Sequence, residues 1–184
     1  KAALTGEVNE DQIYPEGYIF VEAVTLNKTS MTIWSGGAAR LSAAVKPADA
    51  SEQAVTWKSS NSKVAAVSGD GEVSGLAPGK ATITATTKDG GFTASCNVTV
   101  QKLAAPKVKL AFTSYNSARV SWTKVAGASG YEVFRSASKN GAYVKVGALP
   151  ASAASYTNTG LTTGKTYYYK VRAYKTASGT RCAG

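Results

Sequence analysis

Hydrophobic and polar residues alternate with a period of two along most of this chain. The clearest stretch is AVTWKSSNSKVAAVSGDGEVSGLAPGKATITATT (residues 54–87), where Val55, Trp57 and Ile83 alternate with polar neighbours. Such alternation predicts β-strands that bury one face and expose the other. The intervening SSNS, SGDG and APG segments supply residues that tolerate tight or left-handed backbone. Because helical periodicity is nowhere sustained, the pattern predicts an all-β fold.

Short strands separated by glycine-rich turns are typical of a sandwich or barrel. The first predicted set is Ala23–Leu26, Met31–Trp34, Arg40–Lys46, Val55–Ser59, Val64–Val67, Glu72–Ser74, Ala81–Thr87 and Phe92–Val100. The second set is Val108–Phe112, Ala118–Thr123, Tyr131–Ser136, Tyr143–Val146, Ser155–Asn158 and Thr166–Tyr174, with a last, shortened strand near Thr180. A chain of 184 residues is long for one sandwich of about 100 residues and fits two.

The composition divides the chain into three parts. Residues 1–22 are acidic and aromatic and are interpreted as a linker or as the tail of a preceding domain. Residues 23–101 and 104–184 are interpreted as the two domains, joined by the segment QKLAAP (residues 101–106), in which Pro106 restrains the backbone. The short connection predicts two domains placed end to end with restricted freedom.

The first domain resembles the bacterial Ig-like domain family, group 2. The matching segments are VTLNKTSMTI, then Gly36-Gly37 before ARLSAAVKP, followed by VTWKSSNSKVAAVS, GEVSGLAPGKATITAT and the closing CNVTV. These segments cover residues 23–100 densely. The resemblance implies an immunoglobulin-like β-sandwich.

The second domain resembles the fibronectin type III family. Trp122 in RVSWTKV and Tyr131 in GYEVFRS match core positions of that family, and GLTTGKTYYYKVRAY is similar to its sixth-strand signature. Leu161 and Tyr167 match its tyrosine corner, in which the tyrosine hydroxyl bonds to nearby backbone. Together the resemblances imply two tandem immunoglobulin-like β-sandwiches, used as accessory modules of cell-surface or secreted bacterial proteins.

The charge is distributed unevenly between the two halves. Residues 1–100 contain eight Lys/Arg and ten Asp/Glu, whereas residues 101–184 contain thirteen Lys/Arg and one acid, Glu132. Such asymmetry marks either a half that meets polyanions or a solvated basic surface. The scatter of these charges along the strands favours the solvated surface.

The sequence offers little that could support catalysis or metal binding. Histidine is absent, which excludes Ser-His-Asp and Cys-His nucleophiles and histidine-ligated metals. Cys96 shares the parity of its buried neighbours, whereas Cys182 lies near the C-terminus and is expected to be exposed. We therefore predict no enzyme activity, no cofactor and no metal site.

The first domain's acids are interpreted as turn residues rather than calcium ligands: Asp49, Glu52, Asp70, Glu72 and Asp89.

Two tryptophans are assigned to the cores, and the third is left open. Trp57 and Trp122 share parity with apolar neighbours, which places them inside. Trp34 ends a strand beside Ser35-Gly36-Gly37. It is interpreted as a packed edge residue or an interdomain contact, with a sugar-stacking platform as the third alternative.

The candidate ligand-binding residues lie on one predicted sheet face of the second domain. If Tyr167, Tyr169, Val171 and Ala173 point inward, their neighbours point outward and join Glu132 and Phe134 of the adjacent strand. A mixed aromatic and basic face can stack rings and neutralise anions. Cross-strand pairs that merely stabilise an exposed sheet face explain the same pattern. The candidates are Phe134, Tyr168, Lys170, Arg172 and Tyr174.

These observations favour a non-catalytic extracellular or cell-surface module that acts as a spacer or stalk, with adhesive contacts as an added role. The alternative is a carbohydrate-binding accessory module of a secreted glycan-active enzyme. A third reading, an adhesin for a host protein, requires an exposed apolar patch or edge strand.

The expected partners are other domains of the same polypeptide and a cell-wall or host glycan, without nucleic acid. No apolar run approaches the roughly 20 residues that cross a bilayer, so membrane insertion is not expected.

Overall fold

The computed structural model describes residues 14–177 and 179–184, and in these residues the chain contains β-strands and no helix. The strands form two sandwiches, which confirms the predicted all-β fold. The first thirteen residues, which include most of the acidic segment predicted as a linker, lie outside the described residues.

Nine strands build the first sandwich. They are β1 (Ala23–Leu26), β2 (Ser30–Trp34), β3 (Ala38–Arg40), β4 (Ala43–Lys46), β5 (Val55–Ser59), β6 (Ala65–Val67), β7 (Glu72–Gly75), β8 (Gly79–Thr87) and β9 (Thr93–Gln101). One sheet has the order β2-β9-β8-β5, a second has the order β3-β7-β6, and β1 pairs with β4. The β2–β9 pair is parallel and the other pairs are antiparallel.

The core of the first sandwich follows the predicted alternation. Ile83 of β8 and Cys96 of β9 are fully buried, and Val73 of β7 closes the core from the opposite sheet. Trp57 is half-buried and packs against this core. The sequence assignment of Cys96 to the core is therefore confirmed.

The predicted strand Arg40–Lys46 is wrong as a single element. The chain changes sheets between β3, which pairs with β7, and β4, which pairs with β1. At the crossing, the Leu41 amide donates to the Gly71 carbonyl and the Ser42 amide donates to Asn27 Oδ1. Because these bonds come from distant turns, the local alternation of residues 40–46 does not show the break.

Seven strands build the second sandwich. They are β10 (Val108–Ser114), β11 (Ser117–Trp122), β12 (Gly130–Ser136), β13 (Val144–Pro150), β14 (Ser155–Asn158), β15 (Tyr168–Ala177) and β16 (Thr180–Ala183). The two sheets have the orders β10-β11-β14 and β13-β12-β15-β16.

Two aromatic residues organise the second core. The Trp122 and Tyr131 ring centroids are 5.3 Å apart, and the Val125 amide donates a 2.7 Å hydrogen bond to the Tyr131 hydroxyl. Val120 and Val133 complete the buried layer around them. At the predicted tyrosine corner, the Thr162 amide donates to the hydroxyl of Tyr167 at 3.2 Å.

The last strand covers only part of its neighbour. β16 pairs with residues 174–177 of β15, so the outer edge of β15 over residues 168–172 has no strand partner in the described part of the chain. Leu110 and Phe112 of β10 face the core side but are 53% and 94% exposed across this gap.

The two sandwiches contact each other through side chains from both sides of the linker. Trp34, at the end of β2, packs against the core of the second sandwich, and its ring edge lies beside Gly127. Leu103 of the linker is buried in that same core. Of the alternatives for Trp34, the structure therefore supports the interdomain contact.

The expected exposure of Cys182 is wrong. Cys182 is 3% exposed, and its Sγ lies 3.1 Å from the position that a Cβ atom on Gly37 would occupy. The thiol thus packs on the bare backbone of the glycine pair that follows β2. Both cysteines are free thiols.

A single carboxylate connects all four strands of the β13-β12-β15-β16 sheet. Glu132 of β12 accepts hydrogen bonds from Arg172 of β15 at 2.6 Å and from Arg181 of β16 at 2.8 Å. Lys145 of β13 lies 3.4 Å from the same group. The Glu132 side chain is 4% exposed, whereas the three cations remain about half exposed (45–52%).

The balance of forces on Glu132 keeps its carboxylate ionised. Burial alone raises the pKa of this group, but the hydrogen bonds and charges of Arg172 and Lys145 outweigh burial and hold the pKa below its ordinary value. A carboxyl group whose pKa is lowered on folding stabilises the fold above its unfolded pKa, and the contribution disappears as the pH falls through the folded pKa.

We expect the Glu132→Gln substitution to lower the free energy of unfolding at pH 7 by about 1–3 kcal/mol, because three cations lose their shared charged acceptor. The difference from the wild type should shrink below about pH 4.3, the ordinary Glu value, as the wild-type carboxylate becomes protonated. Urea unfolding followed by tryptophan fluorescence at pH 7 and pH 3 measures both effects.

Glu72→Gln is the matched control, because Glu72 is an exposed carboxylate of the first sandwich. It should leave the stability nearly unchanged at both pH values. A Glu132→Gln protein as stable as the Glu72→Gln protein at pH 7 would contradict the stabilising role of the cluster.

Candidate functional site

The pairing of β12 with β15 brings the five candidate residues onto one outer sheet face. Phe134 lies opposite Lys170, and Glu132 lies opposite Arg172. Tyr174 and Tyr168 stand at the two ends of the same row, opposite Gly130 and Ser136. The inward-facing residues Val171 and Ala173 pack in the core, as the alternation predicts. We call this surface the aromatic–basic face: Phe134, Tyr168, Lys170, Arg172 and Tyr174.

Three further side chains belong to this face but escaped sequence reasoning: Tyr143, Lys145 and Arg181. A register shift between Val133 and Phe134 places Lys145 opposite Phe134, although simple alternation along β13 would assign it differently. Arg181 reaches the face from β16, whose pairing with β15 the sequence did not specify. The run of aromatic and basic residues in GAYVKVG was the one signal that could have suggested Tyr143 and Lys145.

Cations already lie over three aromatic rings of the face, those of Tyr143, Phe134 and Tyr174. Lys170 Nζ lies 3.9 Å from the centroid of Tyr143, and the Arg172 guanidinium lies 5.1 Å from that of Phe134. The Arg181 guanidinium lies 3.9 Å from the centroid of Tyr174. These contacts fall within the range of cation–π attraction, so the rings hold the cations in place.

The ring of Tyr174 contacts both Gly130 and Arg181. A Cβ atom added to Gly130 would overlap the hydroxyl end of Tyr174, so this end lies directly on the bare backbone of Gly130. The Arg181 guanidinium lies over the ring. Tyr174 is therefore half-buried and acts as a support for Arg181 rather than as an open platform.

Glu132 lies beneath the face instead of being displayed on it. The sequence placed this carboxylate outward, and the register confirms that it is on the outer side of the sheet. The three cations that converge on it leave it 3% exposed. Residues 104–184 contain twelve Lys/Arg and no acid besides Glu132, so the described surface of the second sandwich has no exposed acidic side chain.

A groove continues from the face over the uncovered edge of β15. It has a volume of about 550 Å³ and runs from Phe134 and Tyr143 past Lys170 to Pro106 and Val108 at the start of β10. The groove joins the outer face of one sheet to the edge of the other.

The acids of the first sandwich engage local partners. Glu52 accepts from the Ala54 amide and pairs with Lys88, and Asp70 pairs with Arg40. Asp89 accepts from the Val21 amide at 2.9 Å. Within residues 14–177 and 179–184, no three Cys, Asp or Glu side chains come together in a group that could hold a metal ion. No helix in that same part of the chain is long and apolar enough to span a membrane.

Known proteins match the chain in segments. An alpha-L-arabinofuranosidase of Bifidobacterium longum is 37% identical over 114 residues, which make up 62% of this chain and 10% of that enzyme. An Ig-like virion protein of Serratia phage KSP90 is 42% identical over 83 residues, 45% of this chain and 32% of that protein. The chain thus spans a third or less of the length of these relatives.

Among solved structures, a two-domain fibronectin type III segment of chicken tenascin aligns with 90% of this chain and 97% of its own length. The identity is 16% and the TM-score 0.41.

Family models assign nearly the whole described chain. The bacterial Ig-like domain (group 2) matches residues 20–98, and the fibronectin type III domain matches residues 104–181. Modules of this kind are non-catalytic and are typical of extracellular bacterial proteins, and their relatives include parts of phage proteins and glycosidases. The chain therefore belongs to two families in series: it is a group 2 bacterial Ig-like domain followed by a fibronectin type III domain.

Proposed function

We propose that this pair of domains is a non-catalytic spacer or stalk in an extracellular or cell-surface bacterial protein, where it holds a neighbouring functional domain at a set distance and direction. The observation that carries this proposal is the contact between the sandwiches. A tryptophan from the first sandwich packs against the core of the second, so the pair is joined by more than its linker.

The contact restricts the linker on both sides. Leu103 buries its side chain in the second core, and Cys182 packs on Gly37 of the first sandwich. The Ser35 amide donates to the Gln101 carbonyl at 2.7 Å, which ties the start of the linker to the end of β2. A spacer transmits position only if its modules do not swivel, and burying apolar side chains across a joint opposes such swivelling.

We expect Trp34→Ala to let the two sandwiches move independently, because it removes the large side chain at the joint. The stability of the second sandwich should fall by about 1–3 kcal/mol, less than for a fully buried tryptophan. Backbone ¹⁵N relaxation measures the tumbling of each domain, and small-angle X-ray scattering measures the spread of interdomain distances.

Thr32→Ala is the control, since Thr32 is exposed on the same strand. It should preserve common tumbling of the two domains. Wild-type domains that already tumble independently would overturn the spacer proposal, as would a Trp34→Ala protein indistinguishable from the control.

A second candidate function is carbohydrate binding as an accessory module of a glycan-active enzyme. Two observations favour it. Phe134 of β12 and the four candidate residues of β15 meet on one accessible sheet face. The related alpha-L-arabinofuranosidase contains a segment similar to this chain within a much longer enzyme. The ring of Tyr168 and the basic groups of the face would make the contacts.

We expect the Tyr168→Ala, Tyr174→Ala double variant to lose glycan binding, because it removes one ring of the face and the support of Arg181. Affinity gel electrophoresis with plant and bacterial polysaccharides measures the loss. Tyr115→Ala is the control, because Tyr115 is 82% exposed in the β10–β11 turn. Retained binding by the folded double variant would remove this candidate function.

A further inference from the structure

We propose that the aromatic–basic face, together with Lys145 and Arg181, binds a linear anionic polysaccharide whose uronate carboxylates contact the four cations. The inference rests on the second candidate function, carbohydrate binding, and specifies its ligand class and the residues that recognise it. It requires no stacking of sugar rings.

The face carries more positive charge than its own carboxylate neutralises. Lys145, Lys170, Arg172 and Arg181 provide four cations, against the single charge of Glu132. The carboxylate lies below the cations, and three of them stay 45–52% exposed. Glu132 accepts from Nε and Nη2 of Arg172 and from Nη1 of Arg181. The remaining N–H groups of these half-exposed guanidinium groups can donate to the planar carboxylates that arginine suits.

The rings that cations cover favour an anionic ligand over a neutral one. Neutral sugars and nucleic-acid bases bind by stacking on open aromatic faces. On Tyr143, Phe134 and Tyr174 a cation already occupies one side of each ring. The rings position the cations, and an approaching ligand meets charge first.

The surroundings of the face favour anions as well. The described surface of the second sandwich has no exposed carboxylate that would repel or compete with an acidic ligand. A surface of one sign attracts polymers of the opposite sign over several ångströms, and salt screens this attraction.

The arrangement of the cations suits a polymer. The charged groups of Lys145, Arg172 and Arg181 all lie within 3.4 Å of the Glu132 carboxylate and form one cluster. Lys170 lies over Tyr143 instead, where the groove continues toward Pro106 and Val108. A chain with a charge on every residue can contact the cluster and Lys170 through successive residues.

The test uses the whole chain and polygalacturonate as the probe, with methyl-esterified pectin as its neutral counterpart. We expect polygalacturonate to retard the protein in affinity gels and the esterified polymer to leave it unretarded. Lys145→Gln with Lys170→Gln should weaken binding about tenfold, as two screened charge contacts are lost. Neither lysine is buried, so this variant should stay folded.

The matched control is Lys109→Gln with Arg119→Gln, which removes the same charge from the opposite sheet, where both side chains are exposed. Its affinity should stay within about twofold of the wild type, an effect expected for remote surface charges. Equal weakening by both double variants would overturn the inference, because the binding would then come from diffuse charge.

Other binding results distinguish the anionic-polysaccharide assignment from carbohydrate binding in general. Equal retardation by the neutral pectin, or tighter binding to duplex DNA through the same lysines, would overturn the anionic-polysaccharide assignment. Binding to a neutral glycan that is insensitive to the lysines would overturn it while leaving carbohydrate binding intact. Failure to bind any glycan would overturn both the anionic-polysaccharide assignment and the carbohydrate-binding function. The tumbling of the Trp34→Ala protein tests the spacer role independently.

Discussion

The ion cluster around Glu132 is the interaction on which the second sandwich's outer face depends. One buried carboxylate takes hydrogen bonds or ion pairs from β13, β15 and β16 while it sits on β12, so it links the whole four-stranded sheet. Burying a lone carboxylate would be unfavourable, but the charges and hydrogen bonds of three cations offset the cost of burying Glu132. The same arrangement draws cations together that would otherwise repel one another, and the aromatic rings beside them set their positions.

The contact between the sandwiches joins the two domains by more than their linker. Trp34, Leu103 and Cys182 come from three separate parts of the chain and meet at the joint. Gly37 matters there because its missing side chain lets the cysteine approach the backbone. The side chains that pack across the joint are compatible with both a spacer role and a ligand-binding role.

The local pattern predicted much of this architecture. β1, β5 and β14 begin and end where alternation placed them, and Cys96 and Ile83 are buried as their parity requires. The five candidate residues also share one face, because parity along two paired strands suffices to put them there. The break between β3 and β4 and the burial of Cys182 were not predicted. Both depend on hydrogen bonds or packing with residues more than twelve positions away.

The features that the sequence predicted and those that it did not predict differ in the range of the forces that cause them. Alternation and turn residues act between near neighbours, so the strands and the two-sandwich organisation could be inferred from the amino acids alone. The family membership was indicated by the resemblance of whole segments to the two families. The register shift that brings Lys145 beside Phe134, the enclosure of Glu132 and the role of Trp34 arise when remote segments pack. Sequence spacing does not indicate those contacts, because each depends on how two strands, or two domains, are aligned in space.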